Sequence, residues 1–433
     1  MLKKHPMSLY LVWIIILIVM PLPLIVLLNN GLVDSTRSLL IYDAGVVAYT
    51  WWLGIVFLAT RPKWLDRLIG LPAMYFVHGM VGILALIVAT IHVQLSFSMH
   101  AIIRNTGHIA WYLAIFGVVY AALFLSGWLV DRFPIVQGLK NKLQFFFKHQ
   151  LSVWIHRLNI LVILLIWLHV QVIPRVSRIT PFVILFDLYT VIALGTYLWF
   201  KLVAPASEKR SGQVINNQAV SDHVRQVTIG LGRDSSKPLP GDFYFLSFPK
   251  AKGISKESHP FSVTNVERKK SMTEVTFTIQ TSGDFTSSLA KIVAGEGVNL
   301  EGPFGRFDKI VSGDVNNSPL ILIGLGTGLA PLLDLSKEYS DSRRVHLFWS
   351  LHETEKNIFD KQLMPILKQS NISLEKHVHR FKASDYQELL SQREINEGRF
   401  IIVGPAMGVI EIEKILHNLG VSQNHLTDER LTM

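Results

Sequence analysis

Long apolar runs are not spread evenly along the 433 residues; nearly all of them fall before residue 205. Six of them, near residues 9–28, 39–60, 73–98, 109–130, 151–173 and 181–203, are each long enough to cross the hydrocarbon core of a bilayer as a helix. Six crossings put both termini on one side. The first run follows Lys3 and Lys4 and has no small-residue cleavage site before Asn29, so it reads as a retained helix, with Pro21 and Pro23 expected to kink its far end. Arg61, Lys63 and Arg67 follow the second run, and Arg132, Lys140, Lys142 and Lys148 follow the fourth, whereas the opposite loops hold only Arg37, Arg104, Arg175 and Arg178. The positive-inside rule then predicts cytoplasmic termini in a multi-pass protein of the plasma membrane.

After residue 205 the pattern changes. Ala204 to Gln218 is small and polar and reads as a linker. From Val220 to about Phe307, short alternating runs such as Val224–Ile229 and Glu274–Ile279 predict strands of a small antiparallel barrel. Beyond a second linker-like stretch, Ser312–Ser318, the apolar runs Pro319–Ile323, Val345–Ser350 and Arg399–Val403 are each followed by a helical segment. That alternation predicts an α/β doubly wound sheet. The expected division is a six-helix membrane domain over 1–205, a barrel domain over 206–311 and an α/β domain over 312–433.

The chain has no cysteine, which excludes disulfides, thiolate metal sites, iron–sulfur clusters and covalently attached c-type haem. A net charge of +10 could suit nucleic acid, but basic loops facing anionic lipid account for it, and no nucleic-acid partner is expected.

Inside the third and fifth runs lie two pairs of histidines, His78 with His92 and His156 with His169. Ionisable side chains at membrane depth are expensive, and four at matched spacing ask for a chemical reason. In a helix, the fourteen steps from His78 to His92 rise about 21 Å and return the side chain to within roughly 40° of its starting direction. Both therefore face one neighbour, with room for two stacked cofactors. The thirteen steps from His156 to His169 rise nearly as far, but leave directions about 140° apart, so the fifth helix is expected to bend or to carry a π-bulge. Pairing by depth, His78 with His156 and His92 with His169, would make two bis-histidine b-type haems. For any one histidine the alternative is a hydrogen bond across a helix interface. His100 and His108 fall in the loop between the third and fourth runs, as surface or access residues, and Arg104, Arg175 and Arg178 share that face as solvated charges or propionate partners.

Thirteen and fourteen steps on the fifth and third helices resemble the NADPH oxidase and ferric reductase transmembrane superfamily, in its prokaryotic form with a fused ferredoxin reductase-like domain. His259-Pro260-Phe261-Ser262, with Pro240-Gly241-Asp242-Phe243 upstream and Glu301-Gly302-Pro303-Phe304-Gly305 downstream, is similar to the FAD-binding barrel of that reductase superfamily. The resemblance implies that Ser262 faces the flavin ring in a catalytic role and that the residues before it hold the isoalloxazine. It also implies that Ser282–Leu289, with Gly283, Thr286, Ser287 and Ser288, serves the pyrophosphate; by themselves Ser287 and Ser288 read equally well as N-caps. Gly324-Leu325-Gly326-Thr327-Gly328 stands at a strand-to-helix turn, where glycines let backbone amides approach a phosphate. Gly404-Pro405-Ala406-Met407 resembles the superfamily's nicotinamide-proximal turn.

Three departures concern the nucleotide. Val403 stands where the family often has cysteine, His352 where many NADPH users have arginine, and Leu431 nearest to the position of the terminal aromatic that covers the flavin. The expectation is a flavocytochrome b-type NAD(P)H oxidase: FAD, two haems b and NADPH, with NADH possible, feeding O2 or a ferric chelate on the outer face. Short outer loops without an acidic or histidine-rich collector favour O2 giving superoxide. A transporter or receptor with a degenerate soluble domain, or a haem subunit serving a partner oxidoreductase, would not need the intact flavin and nucleotide segments. No EF-hand loop and no Pro-rich or Arg-rich segment is present, so no protein activator is expected.

Overall fold

The computed structural model describes residues 7–125, 138, 149–203, 210–232, 238–314, 317–353 and 357–431, with no account of the side chains of 149, 150, 210 and 431. They divide into two compact units, one of residues 6–203 and one built on residues 204–433. Lys3, Lys4, Arg132, Lys140, Lys142 and Lys148 lie outside the described residues.

Among the described residues the first unit holds six helices long and apolar enough to cross a membrane: α1 (Met7–Gly31), α2 (Thr36–Leu58), α3 (Leu71–Leu95), α4 (Ala101–Phe124), α5 (Leu151–Gln171) and α6 (Thr180–Val203). Helix α2 packs on α3 and α6, and α4 packs on α3 and α5. Buried hydroxyl pairs tie these contacts together, Tyr49 with Thr190 at 2.8 Å and Tyr120 with Ser152 at 3.1 Å. His100 stands in the loop, as expected, at the N-cap of α4; the helix begins well before the apolar run at 109, so His108 is not a loop residue but a half-buried helical one bonded through Nδ1 to Arg104 O at 2.8 Å. The helix outlasts the hydrocarbon-length run because its first turns are polar. Arg175 is paired with Asp34 at 2.8 Å, joining the segments after α1 and α5.

Helices α1 and α5 depart from regular geometry within their spans, and α6 ends in a π-turn over Trp199–Val203. Pro21 has no N–H to give Leu17 O, and its ring excludes that carbonyl. Residues Ile15–Val19 widen into a π-turn, Met20 N–H bonds Ile15 O at 2.9 Å, and the Trp51 indole N–H takes the Leu17 carbonyl at 3.2 Å. In lipid such a freed carbonyl needs a protein donor. The distortion thus sits upstream of Pro21 in mid-span, and not at the far end, because a proline perturbs the turn before it. Helix α5 breaks at Leu158, between His149–Arg157 and Asn159–Gln171. There Leu158 N–H bonds Ile155 O at 3.0 Å and Leu161 N–H bonds Leu158 O at 2.9 Å, a tightened i→i+3 turn. Thirteen helical steps fall about 140° short of four full turns, and overwinding adds rotation in that sense. The bend expected from the spacing exists, as a tightened turn and not a π-bulge.

In the second unit, β1 (Arg210–Ser221), β2 (Val224–Gly232), β3 (Phe243–Ser247), β4 (His259–Arg268), β5 (Met272–Gln280) and β6 (Gly297–Phe304) pair antiparallel in the order β1-β2-β5-β4-β3-β6. Strand β6 returns to β1, from Arg210↔Leu300 to Gln213↔Gly297, and closes the barrel. The stretch read as a linker to Gln218 is therefore strand from Arg210 onward. Its polar residues made it look like a loop, but they serve the fold: Asn217 donates to Leu289 O and Ile292 O, both at 2.8 Å, and accepts from Arg225 Nε at 3.1 Å.

The remaining strands, β7 (Leu320–Leu325), β8 (Val345–Leu351), β9 (Ile372–Val378), β10 (Arg399–Pro405) and β11 (Leu426–Leu431), form a parallel sheet in the order β11-β10-β7-β8-β9. The chain runs outward from β7 to β9, then returns to build β10 and β11 on the other side, so the strand order reverses between β7 and β10. Ligands of doubly wound sheets sit outside the carboxyl ends of the strands at such a reversal.

Candidate functional site

Three of the four membrane histidines have Nδ1 on a backbone carbonyl: His78 on Ile55 O at 2.9 Å, His92 on Ile41 O at 2.7 Å and His169 on Ile103 O at 3.1 Å. A carbonyl only accepts, so Nδ1 carries the proton and Nε2 the lone pair, the form of imidazole that binds a metal. Among the described residues no hydrogen bond involves Nε2 of any of the four. The carbonyls are open for a local reason. A helical side chain leans back over the carbonyl four residues before it, and those positions hold Ala59, Gly45 and Gly107. A Cβ on Gly45 would lie 3.0 Å from His92 Cε1, and one on Gly107 would lie 3.0 Å from His169 Cε1.

His78 and His156 face each other with ring centroids 5.8 Å apart. Two metal–imidazole bonds of about 2 Å put two Nε2 atoms ~4 Å apart and their ring centres ~6 Å apart. Donor type and separation therefore fit a pair of ligands to one iron, with the proton already in the fitting place on His78. His156 differs from the other three: its Nδ1 meets the Asn159 side-chain amide at 3.3 Å.

At the start of β4, the ring of His259 stacks on Phe285 with centroids 4.0 Å apart, and Phe261 lies parallel to Phe285 at 6.1 Å. Register sets Ser262 opposite Phe243 and His259 opposite Leu246, with Pro260 exposed between them. Among the described residues the half-buried Ser262 hydroxyl makes no hydrogen bond. Gly302 belongs to the barrel wall, where a Cβ would meet Tyr244 Cδ1 at 2.9 Å. Phe285, which sequence reasoning had not picked out, opens the short helix α7 (Asp284–Ser288) with Gly283 as its N-cap. Thr286 Oγ1 accepts from the Ser282 and Gly283 amides at 2.9 and 3.0 Å, so the capping role considered for Ser287 and Ser288 belongs to Thr286. Ser288 turns back to Phe285 O at 2.6 Å, while Ser287 lines an open groove of about 570 Å³ with Ser221, Asp222, Arg225 and Thr281.

At the reversal between β7 and β10, Gly326 has φ +58° and its carbonyl takes the Trp349 indole N–H at 3.1 Å. The neighbouring glycines answer to packing rather than to a phosphate. A Cβ on Gly324 would lie 2.7 Å from Leu329 Cα, one on Gly328 2.4 Å from Val403 O, and one on Gly404 2.6 Å from Leu325 Cβ. Thr327 reaches Gln280 at the end of β5 at 3.5 Å. Pro405 ends β10 in register with Leu431 of β11, Met407 stands 66% exposed in the first turn of the following helix, and His352 is exposed just past β8. Arg380, also missed from the sequence, follows β9; its guanidinium carbon lies 3.6 Å from a Cβ built on Gly408, and it pairs with Glu411 at 2.5 Å. The Leu431 side chain and Lys356 lie outside the described residues.

Residues 213–308 match the family model described as an FAD-binding domain, which assigns that domain to the barrel. Over 130 residues the chain is 28% identical to the electron transfer subunit of dihydroorotate dehydrogenase B (NAD(+)) of Caldanaerobacter subterraneus subsp. tengcongensis, covering 30% of this chain and 47% of that protein. The corresponding subunit of Bacillus cereus strain Q1 is 27% identical over 131 residues, 30% of this chain and 49% of its own. The chain thus spans about half the length of the curated relatives it matches. Among solved structures, the FAD/NAD-binding domain of nitric oxide dioxygenase from Vibrio cholerae aligns with TM-score 0.44 and 19% identity over 52% of this chain and 99% of that one. The CS-b5R domains of human Ncb5or align with TM-score 0.43 and 20% identity over 51% and 69%.

Proposed function

We propose that this chain passes electrons from cytoplasmic NAD(P)H through FAD and two b-type haems to an acceptor on the outer face of the plasma membrane, with O2 reduced to superoxide. The observation that carries this reading is the histidine geometry: two imidazoles facing at 5.8 Å, and three of four fixed with Nε2 available, on helices fused to an FAD-binding domain. Bound there, FAD would supply hydride acceptance and the release of electrons one at a time, and the haems would supply single-electron transfer.

In this reading His78 with His156 and His92 with His169 would hold the irons. Ile55, Ile41 and Ile103 carbonyls fix the protons on Nδ1 and raise the basicity of the ligands. His259, Phe261 and Phe285 offer an aromatic wall to the flavin, and the Ser262 hydroxyl lies in the same strand, available to its ring. Arg225 and Ser287 line a groove that could donate hydrogen bonds to a pyrophosphate, with Asp222 beside them. The strand reversal at Gly326 and Gly404 is the nucleotide position, with Arg380 as a neighbouring cation. The working domains are 1–205, 206–311 and 312–433.

A ferric chelate is the second reading for the acceptor, since transfer at a haem edge does not select by ligation. Proteoliposomes with NADPH inside decide: superoxide outside supports the oxidase, ferrous iron supports the reductase, and a colourless protein refutes both.

A further inference from the structure

We infer that Asn159 is a positioning residue for His156, held in place by Gly117 of α4, and that it sets the retention and the midpoint potential of the His78–His156 haem. The inference rests on the haem reading above. Asn159 follows the break at Leu158 directly. Its amide nitrogen donates to His156 O at 2.7 Å, within the overwound turn, and contacts His156 Nδ1 at 3.3 Å. One side chain thus bonds both the backbone and the ring of the residue that the break turns toward His78.

The opposite side of the amide is closed by α4. A Cβ on Gly117 would lie 2.3 Å from Asn159 Oδ1 and 2.8 Å from Nδ2, so a side chain there would displace the amide from its place on His156. A polar amide at membrane depth is tolerated where the protein satisfies it, and here the satisfying partner is the histidine.

The chemistry separates His156 from the other three ligands. An amide N–H on Nδ1 puts the ring proton on Nε2, the tautomer that does not bind a metal. A metal held at Nε2 would require that proton on Nδ1, and Asn159 could accept from it through Oδ1 by turning its amide in exchange for the bond to His156 O. Asparagine serves both tautomers, aspartate only accepts, and leucine of similar shape does neither.

The test uses the purified full-length protein, with haem content per chain, a potentiometric titration and low-temperature spectra of the low-spin ferric haems as readouts. Asn159→Leu is expected to lower haem content from two per chain toward one, and Gly117→Ala is expected to do the same with Asn159 intact. In both, the spectrum and midpoint of the His92–His169 haem stay as in the wild type. Asn159→Asp is expected to keep both haems and to lower one midpoint, by a tenfold change in the reduced-to-oxidised ratio at fixed potential, or ~59 mV for a one-electron couple. Two haems with unchanged titration and spectra in both Asn159→Leu and Gly117→Ala overturn the inference, as does loss of both haems together. A wild-type protein without haem defeats the functional reading itself, whereas a two-haem wild type with unaffected variants defeats only the role of Asn159.

Discussion

Replacing Gly45 or Gly107 with alanine is expected to loosen the His92–His169 site, and the size of the effect follows from local geometry. The new methyl would stand 3.0 Å from the imidazole Cε1 in each case, against an optimal carbon–carbon separation of about 3.5–4 Å. The carbonyls that anchor Nδ1 stay open, since Ile55 holds His78 at 2.9 Å with Ala59 four residues on. Overpacking costs about 1–3 kcal/mol. Alanine gains about 1 kcal/mol over glycine in helix propensity. The net penalty is about 1 kcal/mol, or roughly a fivefold weaker hold on the haem at that site. Gly79 on α3 is the control, because a Cβ there meets nothing within 4 Å and the change carries the propensity gain alone. Haem content during stepwise dilution into apomyoglobin would be compared for Gly45→Ala, Gly107→Ala and Gly79→Ala. If all three release haem at the wild-type rate, the glycines are not there to admit the imidazoles.

Gly328→Ala would drive a methyl to 2.4 Å from Val403 O and force β7 and β10 apart at the strand reversal; stopped-flow absorbance should show flavin reduction slowed at least tenfold with FAD still bound, and an unchanged rate would remove the nucleotide from this crevice. Preference between NADPH and NADH should stay under about a hundredfold, or 2.7 kcal/mol, because exposed His352 offers a weaker phosphate contact than an arginine fork; Arg380→Ala should raise KM for NADPH several-fold more than for NADH, and equal effects would exclude Arg380 from the phosphate. In the buried pair of His346 and Glu394, 3.0 Å apart, burial alone would raise the Glu394 carboxyl, but hydrogen bonds from His346 and Ser391 outweigh it and hold the value down to about 2. A lowered carboxyl stabilises the fold fully above its ordinary 4.5 and loses that contribution as pH falls toward 2. Glu394→Gln should therefore cost up to about 3 kcal/mol at pH 7, with the gap from wild type narrowing below pH 4.5 in urea titrations; a gap that does not change with pH would contradict this.

What could be read from the chain depended on whether one residue's neighbours in sequence decide its surroundings. The six spans were legible from run length, and the bend in α5 from a spacing that an unbroken helix cannot reconcile with one facing neighbour. Strands β7, β8 and β10 were legible because burial on both faces demands continuous apolar runs. Strands β9 and β11 were not: Glu375, Lys376, Asp428 and Glu429 sit on sheet edges, where charge is tolerated and discourages further pairing. Missing β9 also concealed Arg380, which matters only because that strand delivers it beside Gly408.

The glycines make the remaining limit concrete. A glycine signals a close approach without saying what approaches. At Gly324 and Gly328 the approaching atoms are the chain's own backbone, so the glycine-rich turn has a packing reason for two of its members that needs no nucleotide. At Gly45 and Gly107 the approaching group is an imidazole from another helix, and at Gly117 it is an amide. The pattern Ile-x-x-x-Gly, present at Ile41–Gly45 and Ile103–Gly107, marks a carbonyl left uncovered on a helix, and that much is local and readable. Which donor takes the carbonyl is settled by the pairing of α2 with α3 and of α4 with α5, contacts between residues more than fifty positions apart in sequence. A histidine pair at haem spacing therefore gains weight when such uncovered carbonyls occur on neighbouring apolar helices, since each ligand needs an acceptor for Nδ1 where no water supplies one.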